Sequence, residues 1–318
     1  MKRPIATLTC AICLAIAPLL AHAADDADTR FRAIYTQEWQ WRQAQFAGGD
    51  DEDGAGKAAD RLPKVDPATQ EQRERYWAGV LKQLDAIPPK DLHGDDPVNY
   101  AVYRNQVETL LAGQRFRTWE MPFNSDTAFW TNLGFTARKP MRTADEYRRY
   151  LGQLRDIPRY FDEQIANMRA GLARGFSVPR VTLAGRDQSI ADVANAKGDD
   201  NLFYTPFRKM PDSIPAATQE QLRAQAHAAL RDQVVPAYAR LLDFMRNTYM
   251  KQARTTLAAE AMPDGKAFYQ AQIREFTTLD LGPDQIHAIG EQEVARIRAE
   301  MDDAIRDSGF KGSFAQFL

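Results

Sequence analysis

Apolar and polar residues follow a helical period along almost the whole chain. Over 26–46, Phe31, Ile34, Tyr35, Glu38, Trp39 and Arg42 recur at three-and-four spacing, which predicts a first amphipathic helix. After a Gly- and Asp-rich loop at 48–57, Pro67 and Thr69 open a second helix. It places Tyr76, Trp77, Val80, Leu81 and Leu84 on one face and stops at Pro88-Pro89. A third is predicted over 97–112, with Tyr100, Tyr103, Val107, Leu110 and Leu111 inward. Thr143-Ala-Asp-Glu146 reads as a capping box. The helix it starts is expected to run to Asp156, with Pro158 opening the next one, which ends near Gly175. A long helix follows over 216–250, and Pro236 is expected to kink it because proline removes a backbone donor. The last helix begins at Pro283 and runs to about Ser308, where Gly309 stops it.

Two stretches break this rhythm. Residues 116–140 are dense in aromatics without a clean period, so a short strand or an ordered buried loop is expected there. Residues 198–215 hold Asp199-Asp200, Phe203-Tyr204, Pro206-Phe207 and two further prolines. Strand signals are too few for a sheet protein. The expected fold is therefore all-α and multi-helical, with few or no strands, as a single helical domain over 24–318.

Composition changes this picture at one end. Residues 1–23 have the form of a secretory signal peptide: Lys2 and Arg3, an apolar run from Ile5 to Leu20, then Ala21-His22-Ala23 as a cleavage site. A cut after Ala23 would make the protein periplasmic or secreted, with no stable membrane span once the signal is removed. The only cysteines, Cys10 and Cys13, fall inside that segment. Their C-x-x-C spacing is read as chance, and the mature chain has no thiol chemistry. With 41 basic and 43 acidic residues and a net charge of −2, the chain lacks the concentrated basic face that nucleic-acid binding needs.

Candidate chemistry is sparse. Beyond the signal the histidines are His93, His227 and His287, and no His-Glu-x-x-His run occurs. His287 and Glu291 are four apart on a predicted helix, but two ligands do not make a zinc site. The acidic loop Asp50-Asp51-Glu52-Asp53-Gly54 lacks the first and twelfth ligands of a calcium-binding loop and reads as a solvated turn. There is no G-x-S-x-G elbow and no phosphate-binding loop, and Ser125-Asp126 has no histidine near it in sequence. Trp119, Phe123, Phe129, Trp130 and Phe135 either line a cleft or pack in the core. Asn124, Ser125 and Asn132 beside them would need partners if buried. No residue is assigned as catalytic or metal-binding, and substrate-binding residues are left unassigned.

One block carries a resemblance. Met262-Pro-Asp-Gly265, Phe268-Tyr269, Thr277-Thr278-Leu-Asp280-Leu281, Pro283-Asp284-Gln-Ile286-His287, Ile289-Gly290, Glu293-Val294-Ala295-Arg296-Ile297 and Glu300-Met301 together resemble the DUF885 family of bacterial proteins. Upstream, Gly171, Gly175 and Pro179 look like its Gly-x-x-x-Gly-x-x-x-Pro segment, and Phe203-Tyr204-Thr-Pro206-Phe207, Tyr238 to Phe244 and Ala253-Arg254 match in type and order. Gly282 stands where members often carry a Ser or Thr cap.

The resemblance implies a helical, cleft-containing fold related to gluzincin zinc peptidases. In such enzymes zinc lowers the pKa of a bound water and a glutamate takes its proton. It also implies members about twice this length, with the histidine-rich zinc motif beyond the stretch matched here. No family catalytic residue can be carried over. A new amphipathic segment starts at Ser313 and the sequence stops within it. The expectation is thus the N-terminal portion of an exported DUF885-type protein. Zinc, and possible peptide partners, belong to a longer full-length form, and this chain is inactive alone. The alternative is a non-catalytic periplasmic helical scaffold or peptide-binding module.

Overall fold

A computed structural model of the protein describes residues 26–46, 59–124 and 126–318. The expected signal peptide with Cys10 and Cys13, the acidic turn at 50–54, and Ser125 lie outside the described residues. Among the described residues there is no strand, only an isolated antiparallel bridge between Phe123 and Ala128, so the fold is all-α as expected.

The first three helices form one core. Helix α1 (Ala27–Gln45) starts at Asp26, whose carboxylate accepts the Thr29 N–H at 2.7 Å. Helix α2 (Pro67–Asp85) starts at Asp66, which accepts both the N–H and the hydroxyl of Thr69. Both caps satisfy donors that the first helical turn leaves unpaired. Together with α3 (Asp96–Arg115) these helices bury Phe31, Trp77, Val80, Leu84, Tyr100, Val107 and Leu111. Each such side chain contributes roughly 1.5–3 kcal/mol on burial. On α1 the predicted stripe is buried unevenly: Tyr35 and Trp39 stay partly exposed, whereas Glu38 is fully buried. Glu38 is drawn in by hydrogen bonding: Trp77 Nε1 donates to it at 3.0 Å, Tyr103 at 3.3 Å, and Arg42 grips both its oxygens.

The larger core forms around α5 (Ala144–Ala173), which begins with the expected capping box at Thr143 and Glu146. The expected break between Asp156 and Pro158 is absent, and one 30-residue helix runs straight through Pro158. The reason lies in the buried positions: Tyr147, Tyr150, Leu151, Leu154, Ile157, Phe161, Gln164, Asn167 and Met168 make one uninterrupted stripe. Packing along that stripe outweighs a proline penalty of about 3 kcal/mol.

Against α5 lies the long helix that opens at Ala216. It comprises α8 (Ala216–Ala229), a π-turn at Leu230–Val234, α9 (Val235–Phe244), a second π-turn at Met245–Tyr249, and α10 (Met250–Gln252). The disturbance expected at Pro236 is thus a π-turn ending just before it. The cause is register. Buried positions 222, 226, 229 and 230, then 234, 237, 238 and 241, then 244, 245 and 249 drift around a helix of about 100° per residue. Each wider turn absorbs about one residue and returns the apolar face to the core.

Shorter helices complete this layer: α4 (Phe129–Thr136), α6 (Gln188–Asn195) and α7 (Thr205–Arg208). Residues 116–140 are therefore a short 3₁₀ turn, an Asn124-centred turn and α4. In the Asn124 turn, its Oδ1 accepts the N–H groups of Asp126 and Thr127. The segment 59–66 runs along α5 and joins the two cores. Leu62 N–H bonds Asp156 at 2.9 Å, Val65 N–H bonds Glu163 at 2.8 Å, and Asn167 donates to the Val65 carbonyl at 2.7 Å.

The residues that carry the family resemblance have structural roles here. Gly175 sits at φ +81° just past α5. Its N–H bonds the Leu172 carbonyl and the Phe176 N–H bonds the Gly171 carbonyl at 2.8 Å, the paired bonds of a Schellman stop. Gly171 packs so closely on the carbonyls of Glu120 and Phe176 that a Cβ would stand 2.7 Å from each. Arg254 clasps the neighbouring strand of loop: Ser177 Oγ accepts its N–H, and its Nε donates to the Ser177 carbonyl at 2.7 Å. Burial holds the Arg254 guanidinium below its usual pKa.

A third, small core joins Phe176, Met262 and Phe268 of α11 (Gly265–Thr277). The Thr277-Thr278 turn then holds Thr278 in the left-handed region, with its N–H on the Arg274 carbonyl. At Gly282 the backbone N–H donates to Gln285, giving α12 (Pro283–Asp307) a first-turn bond without a side-chain cap. No residue of α12 is buried, and α13 (Phe314–Phe317) is likewise uncovered.

Candidate functional site

The aromatic segment divides between core and cleft. Phe123, Phe129 and Trp130 are buried: Phe129 stands edge-on to Phe161 at 5.4 Å, and Trp130 packs on Phe123 at 5.2 Å. Trp119 is half-buried under the Arg117 guanidinium, and Asn132 is exposed. Phe135, one turn beyond Trp130 on α4, is 59% exposed. It stands at the mouth of a cavity of about 520 Å³ between α4, α6 and the 196–208 segment.

The cavity has an apolar floor and a charged rim. Trp130 and Tyr238 form the floor, fixed by two hydrogen bonds: Trp130 Nε1 donates to Ser189 Oγ at 3.0 Å, and Tyr238 donates to the Trp130 carbonyl at 2.8 Å. Burial pushes the Tyr238 hydroxyl far above its usual pKa, so it stays a neutral donor. On the rim, Arg138 and Arg208 face the same space as Asp192 and Asp200. Asp192 accepts from Gln188 at 2.7 Å, Arg208 is steadied by the Asp199 carbonyl at 3.1 Å, and Arg138 lies 6.0 Å from the Phe135 ring. The cavity thus combines an apolar floor with both signs of charge around its rim. Ser189 is hydrogen-bonded to Trp130 and to the Arg186 carbonyl, and among the described residues lining the cavity there is no histidine to activate it.

The three histidines stay apart. His93 pairs with Asp28 at 3.0 Å, holding the α2–α3 connection to the start of α1, and the His93 backbone N–H and then its ring lower the Asp28 pKa. His227 stacks on Tyr204 at a centroid distance of 4.4 Å and approaches Asp199 at 3.4 Å. His287 meets Glu291 at 3.4 Å on exposed α12. Among the described residues no group of three or more histidine, cysteine or acidic side chains could hold a metal ion. The described residues therefore bring no zinc ligand set together. Among the described residues, the fully buried glutamates Glu38 and Glu120 are held in ion pairs. Glu38 is paired as above, and Glu120 lies between Arg117 and Arg174, tying the 3₁₀ turn to the end of α5.

The rim residues Arg138, Asp192, Asp200 and Arg208 carried no motif by which sequence reasoning could select them. The available signal was the loss of helical period in 116–140 and 198–215, the two segments that meet at this cavity. No described helix is long and apolar enough to cross a membrane.

Over residues 43–318 the chain matches a family described as a bacterial protein of unknown function (DUF885). No curated protein matches it. Among solved structures, one described as the "putative lipoprotein from Colwellia psychrerythraea" aligns with a TM-score of 0.75 at 20% identity, covering 91% of this chain and 52% of that one. At that identity the likeness is one of fold, and this chain spans about half the length of that relative.

Proposed function

The chain belongs to the DUF885 family, and on that premise we propose that it is the N-terminal portion of an exported protein whose full-length form is a zinc-dependent peptidase or hydrolase. In this reading the chain supplies helical walls and a peptide-binding rim, and the metal set belongs to a further portion. The observation that carries the reading is α12, a 25-residue helix without one buried side chain. Its Val294, Ile297 and Met301 form an uncovered apolar stripe. Helices of this kind gain most of their stability by packing such a face, and the half-length match to the Colwellia protein fits a missing packing partner. The leader-like first 23 residues and the lipoprotein description of that relative support export. The mixed-charge rim of the cavity favours a second reading, a non-catalytic peptide-binding module.

The test is hydrolysis of a fluorogenic peptide mixture by the purified chain, with zinc and then with a chelator, together with translation of the DNA after the Leu318 codon. The expected result is no chelator-sensitive hydrolysis by the chain alone and an in-frame continuation bearing a histidine-rich zinc motif. Hydrolysis by the chain alone would overturn the placement of the chemistry. A stop codon directly after Leu318, with peptide binding intact, would select the binding module.

A further inference from the structure

A second concavity lies on the opposite core, between α1 and α3, away from the cavity described above. Its volume is about 460 Å³, within the roughly 300–1,000 Å³ of small-molecule sites. Phe31, Tyr35, Glu38, Trp39 and Arg42 reach it from α1, and Asn99, Tyr103 and Gln106 from one face of α3.

Three features restrict what can sit there. The first is charge. Among the described residues lining the groove the acidic and basic side chains are Glu38 and Arg42, and they pair with each other in bidentate fashion, with Trp77 and Tyr103 also donating to the carboxylate. The groove therefore offers no net charge to an ion. The second is ring geometry. Phe31, Tyr35 and Tyr103 pack edge-on against one another at 5.2–6.2 Å, so these rings leave no slot for a proline ring or a methylammonium group between them. The remaining aromatic is Trp39, 50% exposed, with Arg42 at 5.5 Å over the ring. Among the described residues Arg42 is the one group recorded over that ring. The third is unused hydrogen-bonding capacity. Asn99 and Gln106 are exposed on the facing helix, and neither side-chain amide is hydrogen-bonded among the described residues. Each offers a carbonyl acceptor and two N–H donors.

We propose that the α1–α3 groove binds a neutral saccharide, with one sugar ring stacked on Trp39 and its hydroxyls held by Asn99 and Gln106. A pyranose presents just this combination: an apolar C–H face that lies on an indole, and a ring of hydroxyls that both donate and accept. The paired Glu38 and Arg42 would fix the Trp39 platform without attracting charged competitors. The inference is independent of the peptidase reading, since it uses neither the cavity beside α4 nor any metal.

The test is titration of the purified chain with maltose, cellobiose and N,N′-diacetylchitobiose, followed by calorimetry and by tryptophan fluorescence. At least one disaccharide is expected to bind with a Kd of about 1 mM or tighter. Trp39→Ala should weaken it by about tenfold or more, Asn99→Ala combined with Gln106→Ala should weaken it too, and Trp39→Phe should restore most of the affinity. Because Trp39 is half-exposed, the melting transition of Trp39→Ala should match that of the unaltered chain. The proposal is overturned if none of the three sugars binds, if Trp39→Ala binds as tightly as the unaltered chain, or if only a proline-rich decapeptide perturbs the fluorescence.

Discussion

Gly171 and Gly175 show how a short motif becomes two different physical demands. Gly175 must adopt a positive φ, and a side chain there has free space around it. Gly171 has ordinary helical geometry but touches two backbone carbonyls. Gly175→Ala should therefore cost about 1 kcal/mol, the usual penalty for a left-handed alanine. Gly171→Ala should cost about 2–3 kcal/mol, since a backbone cannot step aside as a side-chain tip can. Urea unfolding midpoints of the two variants check the order, and equal losses would contradict it. The four-residue spacing of these glycines was legible in the sequence. The reason for Gly171 was not, because Glu120 arrives from a turn 51 positions earlier in the numbering. Glu38 makes the same point: its helical spacing was readable, but its burial depends on Trp77 and Tyr103 from two other helices.

Elements were read more reliably than their joints. The Pro67, Thr143 and Pro283 starts and the Gly309 stop all stand where local chemistry placed them, because start and stop signals act within one turn. Pro158 was misread because a proline is compatible both with a helix start and, at a cost, with a helix interior. The stripe of buried residues on both sides of it decides the matter. Replacing Pro158 with alanine should accordingly raise unfolding stability by about 1 kcal/mol or more, as the interior penalty is relieved. A loss of stability in chemical denaturation would mean that the ring itself packs usefully against the 59–66 segment. Helix α4 was hidden for another reason: eight residues give too few turns for a period to stand out among closely spaced aromatics.

For the molecule as a whole, the all-α class followed from the pattern alone, while the three separate cores and the cavity between 129–138 and 188–208 did not. These depend on which helices meet, and periodicity within one helix does not encode its neighbour. The exposed stripe on α12 has a direct consequence. Ile297→Lys combined with Met301→Lys should change the unfolding free energy by less than about 0.5 kcal/mol, as for surface positions elsewhere. The same pair should reduce binding of a hydrophobic dye and any self-association of the chain, because it removes part of an apolar patch. A large fall in melting temperature would instead show that α12 is packed within this chain.

The two π-turns between Ala229 and Met250 bear on ancestry. Each can be viewed as a single-codon insertion that a buried helix has absorbed without rotating its apolar side away from the core. Relatives lacking one of these residues should therefore carry an ordinary α-helix there. Comparisons across the family should place their gaps at 230–234 and 245–249, inside a helix, as well as in the surface loops where length changes usually collect.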